Sequence, residues 1–371
     1  MLFSRDGVSC AGGCSRNALA GLESRVMSER ITILGDGAMP TVCSILLTQR
    51  GHEVTMWGAL PECIEQLQQV RENRQRLPGV AIPPGVRLTA SEGECFAGAT
   101  MVVNAMPTQF MRSAWQRLER HVPRNVPIVS VTKGIENDTL LRPTQIIADV
   151  LGRKKSLLHG PACDWPLAVL SGPNIAAELA RRLPATAVAA ADDPKLSQHV
   201  QSVFTTEWFR VYTNDDPVGV ELAGATKNVI AIAAGILDGL GAGCNAKAAL
   251  VTRGLVEITR LAVAMGAKEE TLSGLAGLGD LITTCISREG RNRHVGEQIG
   301  KGRRLEEVLE EMPSIAEGVP TTRSVQELAR RHEVQMPITD AVHAVLFEGK
   351  DVLTALSELM SREPKPERRG G

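Results

Sequence analysis

The sequence predicts an α/β protein: a doubly wound, mostly parallel sheet followed by an all-α C-terminal domain. Three observations carry that prediction. Short β-branched apolar runs alternate with helical stretches as far as Thr213; a glycine turn, Gly35-Asp36-Gly37, joins the first run to the first helix; and beyond Thr213 the strand-like runs stop. At 371 residues the chain is long enough for two domains. They are expected at 29–214 and 215–360, between a disordered extension (1–28) and a polar, Pro-rich disordered tail (361–371).

Ile31-Thr32-Ile33-Leu34 ends at Gly35, as a buried parallel strand does. A helix over 40–50 places Val42, Ile45, Leu46 and Gln49 at helical spacing, with Gly51 at its C′ position. Residues 53–57 then read as a second strand, completing a βαβ unit. Further strands are expected at 101–103, 128–131, 167–170, 185–190 and 209–212, with helices such as 110–121 and 139–151 between them. Residues 217–237 are helical and apolar almost all round, which belongs in the middle of a domain. Helices follow at 246–265, 305–311, 321–331, 338–347 and 351–360, while Gly277-Leu278-Gly279-Asp280 and Gly290-Arg291-Asn292-Arg293 read as loops.

Composition narrows the function. Hydrophobic residues at 43% and charged ones at 22% argue against a disordered or fibrous chain. Lys+Arg (41) and Asp+Glu (42) cancel, and aromatics make up only 3%, so neither a positive field nor stacking platforms point to nucleic acid. The longest charge-free run, 95–111, is broken by Asn104, Pro107 and Gln109 and falls short of a membrane span. The first 26 residues lack the apolar centre of a secretory signal, so an extension, or an upstream start with Met27 as the functional one, is expected. Eight irregularly spaced cysteines read as reduced thiols of a cytoplasmic protein, and Cys10 and Cys14 have no partnering pair with which to hold a metal.

The glycine turn is a dinucleotide device and makes the N-terminal domain Rossmann-like. Gly35 makes the tight turn, Gly37 lets backbone approach a pyrophosphate, and the helix start offers unpaired N–H groups and a positive dipole. Pro40 stands where a third Gly or Ala is expected; it is tolerated in a first helical turn but removes the close helix–strand packing that glycine permits. The second strand ends Met56-Trp57-Gly58-Ala59, without the acid that would hold ribose hydroxyls and repel a 2′-phosphate. Arg71, Arg74 and Arg76 downstream suit either a phosphate or a solvated helix face. Cofactor choice therefore leans to NADPH and stays open.

Lys227 sits in the most apolar helix of the chain. Either it snorkels to solvent from a helix edge, or it points into a cleft with a tuned pKa suited to proton transfer. Other polar groups favour the cleft. Thr132-Lys133-Gly134 and Ser171-Gly172-Pro173-Asn174 both follow strands, at the carboxyl ends where open α/β sheets place ligands. Two lysines, an arginine and an amide suit a small phosphorylated substrate.

Together these residues resemble the bacterial-type NAD(P)-dependent glycerol-3-phosphate dehydrogenases, from about Ile31 to Lys350. Further markers are Met106-Pro107-Thr108-Gln109, Glu221 through Asn228, Glu317-Gly318 and Met336-Pro337-Ile338-Thr339. The resemblance implies reversible reduction of dihydroxyacetone phosphate to sn-glycerol 3-phosphate for phospholipid synthesis, with NAD(P)H and no metal. It implies Lys227 as general acid/base, and Lys133 touching both cofactor and substrate. Gly172, Asn174, Asp280, Gly290, Arg291 and Asn292 then lie on the substrate side, with Arg291 also reaching the cofactor. Ala38, Met39, Ala176, Ile315 and Glu317 match nucleotide-contact positions. A nearby second ammonium at Lys133 is expected to depress the Lys227 pKa. The chain departs from the family at Pro40, at Ala38-Met39, at Ala59-Leu60 after the second strand, and at Gly290 in place of a frequent Ser. A β-hydroxyacid or ketopantoate-type dehydrogenase and a non-catalytic redox sensor are the competing readings. A homodimer is left open.

Overall fold

A computed structural model describes residues 27–152, 165–312 and 314–364. Most of the expected extension, the end of the expected tail, and Cys10 and Cys14 lie outside the described residues. Eight strands form one sheet: β1 (Arg30–Leu34), β2 (Glu53–Trp57), β3 (Arg87–Thr89), β4 (Met101–Asn104), β5 (Ile128–Ser130), β6 (Leu167–Ser171), β7 (Ala185–Ala190) and β8 (Phe209–Asn214). Their order is β3-β2-β1-β4-β5-β6-β7-β8, parallel throughout except where β6 meets β7. Ile31 of β1 pairs with Val54 on one side and Met101 on the other. The connections therefore reverse direction at β1, which opens a crevice beyond the carboxyl ends of β1 and β4.

Among the described residues six α-helices accompany the sheet: α1 (Ala38–Gln49), α2 (Pro61–Val70), α3 (Thr108–Leu118), α4 (Pro143–Gly152), α5 (Ala176–Ala180) and α6 (Pro194–Phe204). Nine described α-helices make the helical half: α7 (Pro217–Gly239), α8 (Gly243–Ala264), α9 (Glu269–Leu272), α10 (Asp280–Ile286), α11 (Arg291–Gly300), α12 (Leu305–Glu311), α13 (Gly318–Arg331), α14 (Pro337–Phe347) and α15 (Val352–Met360). The expected helix over 139–151 begins only at Pro143, because Leu140 turns left-handed at φ 59°. The two segments read as loops are helical. Leu275–Gly279 forms a π-helical turn leading straight into α10, and Gly290 is the N-cap of α11. Gly277 is there for space rather than for a break, since a Cβ on it would lie 2.0 Å from the Leu272 carbonyl oxygen.

α7 organises the second half. Asp216 caps it by accepting the Gly219 N–H at 2.8 Å, and Pro217 occupies its first turn. It is long and apolar enough to cross a membrane, yet it lies buried inside the protein. It is the spine of an apolar core that includes Ile230, Ile232, Leu261, Leu281 and Val295. α7 and α11 cross with almost no side chains between them: a Cβ on Gly296 would lie 1.9 Å from the Ile232 carbonyl oxygen, and one on Gly235 2.0 Å from that of Arg293. Only glycine permits that approach. Glu221 of α7 is pinned to the start of α4, accepting the Thr144 N–H at 2.8 Å and the Thr144 hydroxyl at 2.7 Å, and pairing with Arg142.

Candidate active site

The helical half meets the sheet at a buried lysine–carboxylate–lysine bridge. Lys227 is only 6% exposed, so it does not snorkel to solvent. Its Nζ donates to Asp280 Oδ1 and to Thr284 Oγ1, each at 2.5 Å. The other oxygen of Asp280 accepts from Lys133 Nζ at 2.7 Å, and Lys133 also donates to the Gly172 carbonyl at 2.9 Å. Thr284 passes its own proton to the Asp280 carbonyl at 2.7 Å, one turn back along α10, so it can only accept from Lys227. An ammonium has three donors. Each lysine spends two on these partners and keeps one.

Local sequence explains the assembly. Lys133 lies just past β5, at the carboxyl end of the sheet. Gly224 on α7 has no side chain, and a Cβ there would come within 3.4 Å of Lys133 Cγ, so the lysine stem runs past α7 at that point. Gly172 sits at φ 152°, with Ala187 Cα and the Thr186 oxygen each 2.9 Å from where a Cβ would stand, so only glycine can present its carbonyl to Lys133. Asn174 donates to the Thr186 carbonyl at 3.0 Å and lies one step back from the bridge. Asn228, adjacent to Lys227, donates to the Lys133 carbonyl at 3.3 Å.

Burial is the main influence on Lys227 and pushes its pKa down to about 8; Asp280 opposes the fall and Lys133 adds to it. The second ammonium thus contributes as expected, but it is not the leading cause. Desolvation is. Thr284 is a bridge residue that sequence reasoning passed over, while Asn228, named there only within the Glu221–Asn228 marker, proves to hold the Lys133 backbone. Asp280 and Thr284 are four apart, a spacing that marks one helix face once 280–286 is known to be helical.

The nucleotide wall forms around the glycine turn. Gly35 has φ 125°, and a Cβ on it would lie 2.9 Å from the Ala105 oxygen. The Pro40 ring closes on the same spot at 3.1 Å, so the proline keeps a tight helix–strand contact rather than losing it. Gly37 caps α1 without a side-chain hydrogen bond, leaving the Ala38 and Met39 N–H groups for a ligand. Ala176 likewise begins α5 without a side-chain cap.

A third wall carries Glu317, Ile315 and Arg291. Glu317 Oε1 accepts the Thr108 N–H at 3.2 Å, while its Oε2 and the Thr108 hydroxyl are buried without partners. A Cβ on Gly134 would lie 2.4 Å from the Thr108 hydroxyl and 2.9 Å from Oε2, so only glycine at 134 lets those two atoms pack against the backbone there. Burial pushes Glu317 up to about 7, with the Thr108 N–H and the charge of Arg291 pulling the other way. Arg291 donates to the Ile315 carbonyl at 2.9 Å and stands within electrostatic reach of Glu317 and Arg76. Asn292 spends its side-chain oxygen on the Gly318 N–H at 2.9 Å and ties α11 to α13.

The three arginines after α2 separate cleanly, and none lies on a helix face. Arg71 donates to the Val86 and Pro83 carbonyls, Arg74 pairs with Glu72, and Arg76 pairs with Asp36 of the glycine turn at 2.7 Å. Among the described residues no group of three or more His, Cys, Asp or Glu could hold a metal ion. An uncapped α1, a glycine-only turn and the orphaned Thr108–Glu317 pair fit a dinucleotide with a polar carboxamide end.

Comparison with known proteins agrees with this arrangement. Residues 30–197 match the family model described as NAD-dependent glycerol-3-phosphate dehydrogenase N-terminus, and 216–357 match the corresponding C-terminus. A relative from Salinibacter ruber, named glycerol-3-phosphate dehydrogenase [NAD(P)+] 2, is 47% identical over 92% of this chain and 97% of its own length. One from Geobacter sulfurreducens, named glycerol-3-phosphate dehydrogenase [NAD(P)+], is 46% identical over 92% of this chain and 100% of its own. The crystal structure of glycerol-3-phosphate dehydrogenase from Coxiella burnetii superposes with a TM-score of 0.84 at 35% identity, covering 90% of this chain and 99% of that one. With both halves matched in order and the polar bridge at their junction, the chain belongs to the NAD-dependent glycerol-3-phosphate dehydrogenase family.

Proposed function

We propose that this protein catalyses the reversible NAD(P)H-dependent reduction of dihydroxyacetone phosphate to sn-glycerol 3-phosphate, supplying glycerophospholipid synthesis in the cytoplasm. The observation that carries this reading is the buried amine of Lys227, anchored by Asp280 and Thr284 with one N–H left over. Gly35, Gly37, Ala38, Met39 and Ala176 would hold the dinucleotide, with Glu317 and the Ile315–Arg291 pair at its far side. The reduced nicotinamide, when bound, supplies the hydride to the ketone carbon.

The chain's own part is electrostatic and protic. Negative charge grows on the ketone oxygen as the carbon is reduced, and the spare N–H of Lys227 stabilises it and then supplies the proton. With a pKa of about 8, Lys227 is mostly cationic at neutral pH, as an acid must be; in the reverse direction, above that pH, the neutral amine accepts the alcohol proton. Asp280 keeps two ammonium groups together in a buried site where they would otherwise repel. The α11 start, capped by Gly290 without a side-chain bond and flanked by Arg291, suits the substrate phosphate. Asn174 and Asn292, both held by backbone partners, line the same side. We place the division between the nucleotide and substrate domains at the link from β8 to α7.

The test is NADPH oxidation with dihydroxyacetone phosphate, repeated with ketopantoate and with a β-keto acid. Turnover with the triose phosphate alone supports the reading. Turnover only with the other acids, or dinucleotide binding without turnover, sinks it. Lys227→Ala is expected to lower kcat by ~100-fold or more while dinucleotide affinity stays nearly unchanged.

A further inference from the structure

We propose that Asp36 and Arg76 form the element that discriminates between the two dinucleotides, Arg76 taking the adenosine 2′-phosphate of NADP(H) and Asp36 the free ribose hydroxyls of NAD(H). The proposal rests on the dinucleotide-binding reading above and goes beyond it. In a doubly wound sheet the adenosine ribose lies off the end of β2, where an acid would ordinarily hold it. Here β2 ends in Trp57-Gly58-Ala59 and offers neither acid nor base.

The charges come from elsewhere in the chain and converge on the same place. A Cβ on Gly58 would lie 3.2 Å from Asp36 Cβ, so the Asp36 side chain stands against the end of β2 and does the spatial work of the missing acid. Arg76 arrives from the loop after α2, and its Nη1 lies 2.7 Å from Asp36 Oδ1. That loop is fastened to the turn. Asn73 donates its side-chain amide to the Asp36 carbonyl at 2.7 Å and accepts the Arg76 N–H on its Oδ1 at 3.1 Å.

Asp36 is the only carboxylate within ion-pair distance of Arg76 among the described residues. The pair stays accessible, with the Arg76 side chain 32% exposed and that of Asp36 20%. A guanidinium bound to one carboxylate has donors left for a phosphate dianion, and by neutralising Asp36 it removes the repulsion that an acid at this position would exert on NADP(H). Freed of Arg76, the carboxylate would repel the phosphate and accept hydrogen bonds from the ribose hydroxyls. The two residues thus pull selectivity in opposite directions. The pyrophosphate has its own seat on the Ala38 and Met39 N–H groups, so Arg76 is not needed there.

The test is equilibrium binding of NADPH and NADH to the full-length protein by titration calorimetry, for the unaltered chain and for Arg76→Ala, Arg76→Lys and Asp36→Asn. Arg76→Ala is expected to weaken NADPH by roughly 10–100-fold and to leave NADH within about threefold, the loss expected for one charge-assisted contact. Arg76→Lys keeps a point charge without the fork and recovers part of the NADPH affinity. Asp36→Asn is expected to shift the ratio the other way, weakening NADH by about 3–10-fold while NADPH binds as well or better. Equal weakening of both dinucleotides by Arg76→Ala would place the arginine at the pyrophosphate and overturn the proposal, as would no change in either. Turnover of dihydroxyacetone phosphate by the unaltered protein is scored separately. A protein that reduces the triose phosphate but keeps its selectivity in Arg76→Ala refutes only this inference, and the converse result refutes only the assigned reaction.

Discussion

Replacing Asp280 by Asn separates the charge of this residue from its shape. The carboxylate touches both lysines, at 2.5 and 2.7 Å, and is itself 1% exposed. At an effective dielectric of ~20, a pair of unit charges about 4 Å apart is worth about 4 kcal/mol. Sharing that attraction between two ammonium groups leaves roughly 2–4 kcal/mol for Lys227, and each tenfold change in protonation corresponds to about 1.36 kcal/mol. Lys227 stands at about 8 with Asp280 opposing its desolvation. Without that charge its pKa falls to about 5–6.5, and only about 1–25% of the amine carries its proton at neutral pH. The Asp280→Asn protein should therefore reduce dihydroxyacetone phosphate roughly 4–100-fold more slowly near neutrality and recover much of the deficit as the pH is lowered towards 5, because the lost quantity is a proton. The assay is kcat for NADPH oxidation across about pH 5–9, with dinucleotide affinity and melting temperature as controls. A deficit of the same size at every pH, with folding intact, would refute the reasoning, since Asp280 would then act by positioning alone.

Two further outcomes follow from the same geometry. Thr284→Val keeps the shape of the side chain but removes the oxygen that accepts from Lys227; kcat should drop by about 5–20-fold with KM little changed, and Thr284→Ser should restore it. Away from the site, Glu257 is buried on α8, accepts the N–H groups of Ile338 and Thr339, and is pushed up to about 7, chiefly by burial. The folded chain therefore holds a proton there that the unfolded chain has already released between the ordinary carboxylate range and about 7. Stability contributed by this group falls as pH rises through that window. Urea midpoints measured from about pH 5 to 8 should show the decline, and Glu257→Gln, which cannot titrate and keeps one acceptor oxygen for the Ile338 N–H, should flatten it at some cost in stability.

What the sequence made legible follows from how local each signal is. The first βαβ unit was readable because its strands are β-branched and its turn is glycine, so pattern and backbone requirement coincide over 28 residues, Arg30 to Trp57. Lys227 stood out as a charge in an otherwise apolar helix, a contrast visible without coordinates. β3 escaped notice because it is three residues long, and α2 because only Ile64 and Leu67 of its ten residues are buried. The starts of α10 and α11 were hidden by Gly277, Gly279 and Gly290, which look like breakers in one dimension; in three, Gly277 gives room to the Leu272 carbonyl and Gly290 is the N-cap of α11. Thr284 and Arg76 could not be ranked above their neighbours from sequence: their partners lie 57 and 40 residues away, and nothing local marks either.

The glycine seam between α7 and α11 also bears on how the site handles its ligand. Lys227 rides on one of these helices and Arg291 on the other, and the two backbones are in direct register with no compressible layer between them. If a triose phosphate sits between these two side chains as proposed, the spacing of the helices that carry them is a fixed gauge, set by main-chain contact rather than by interleaved side chains.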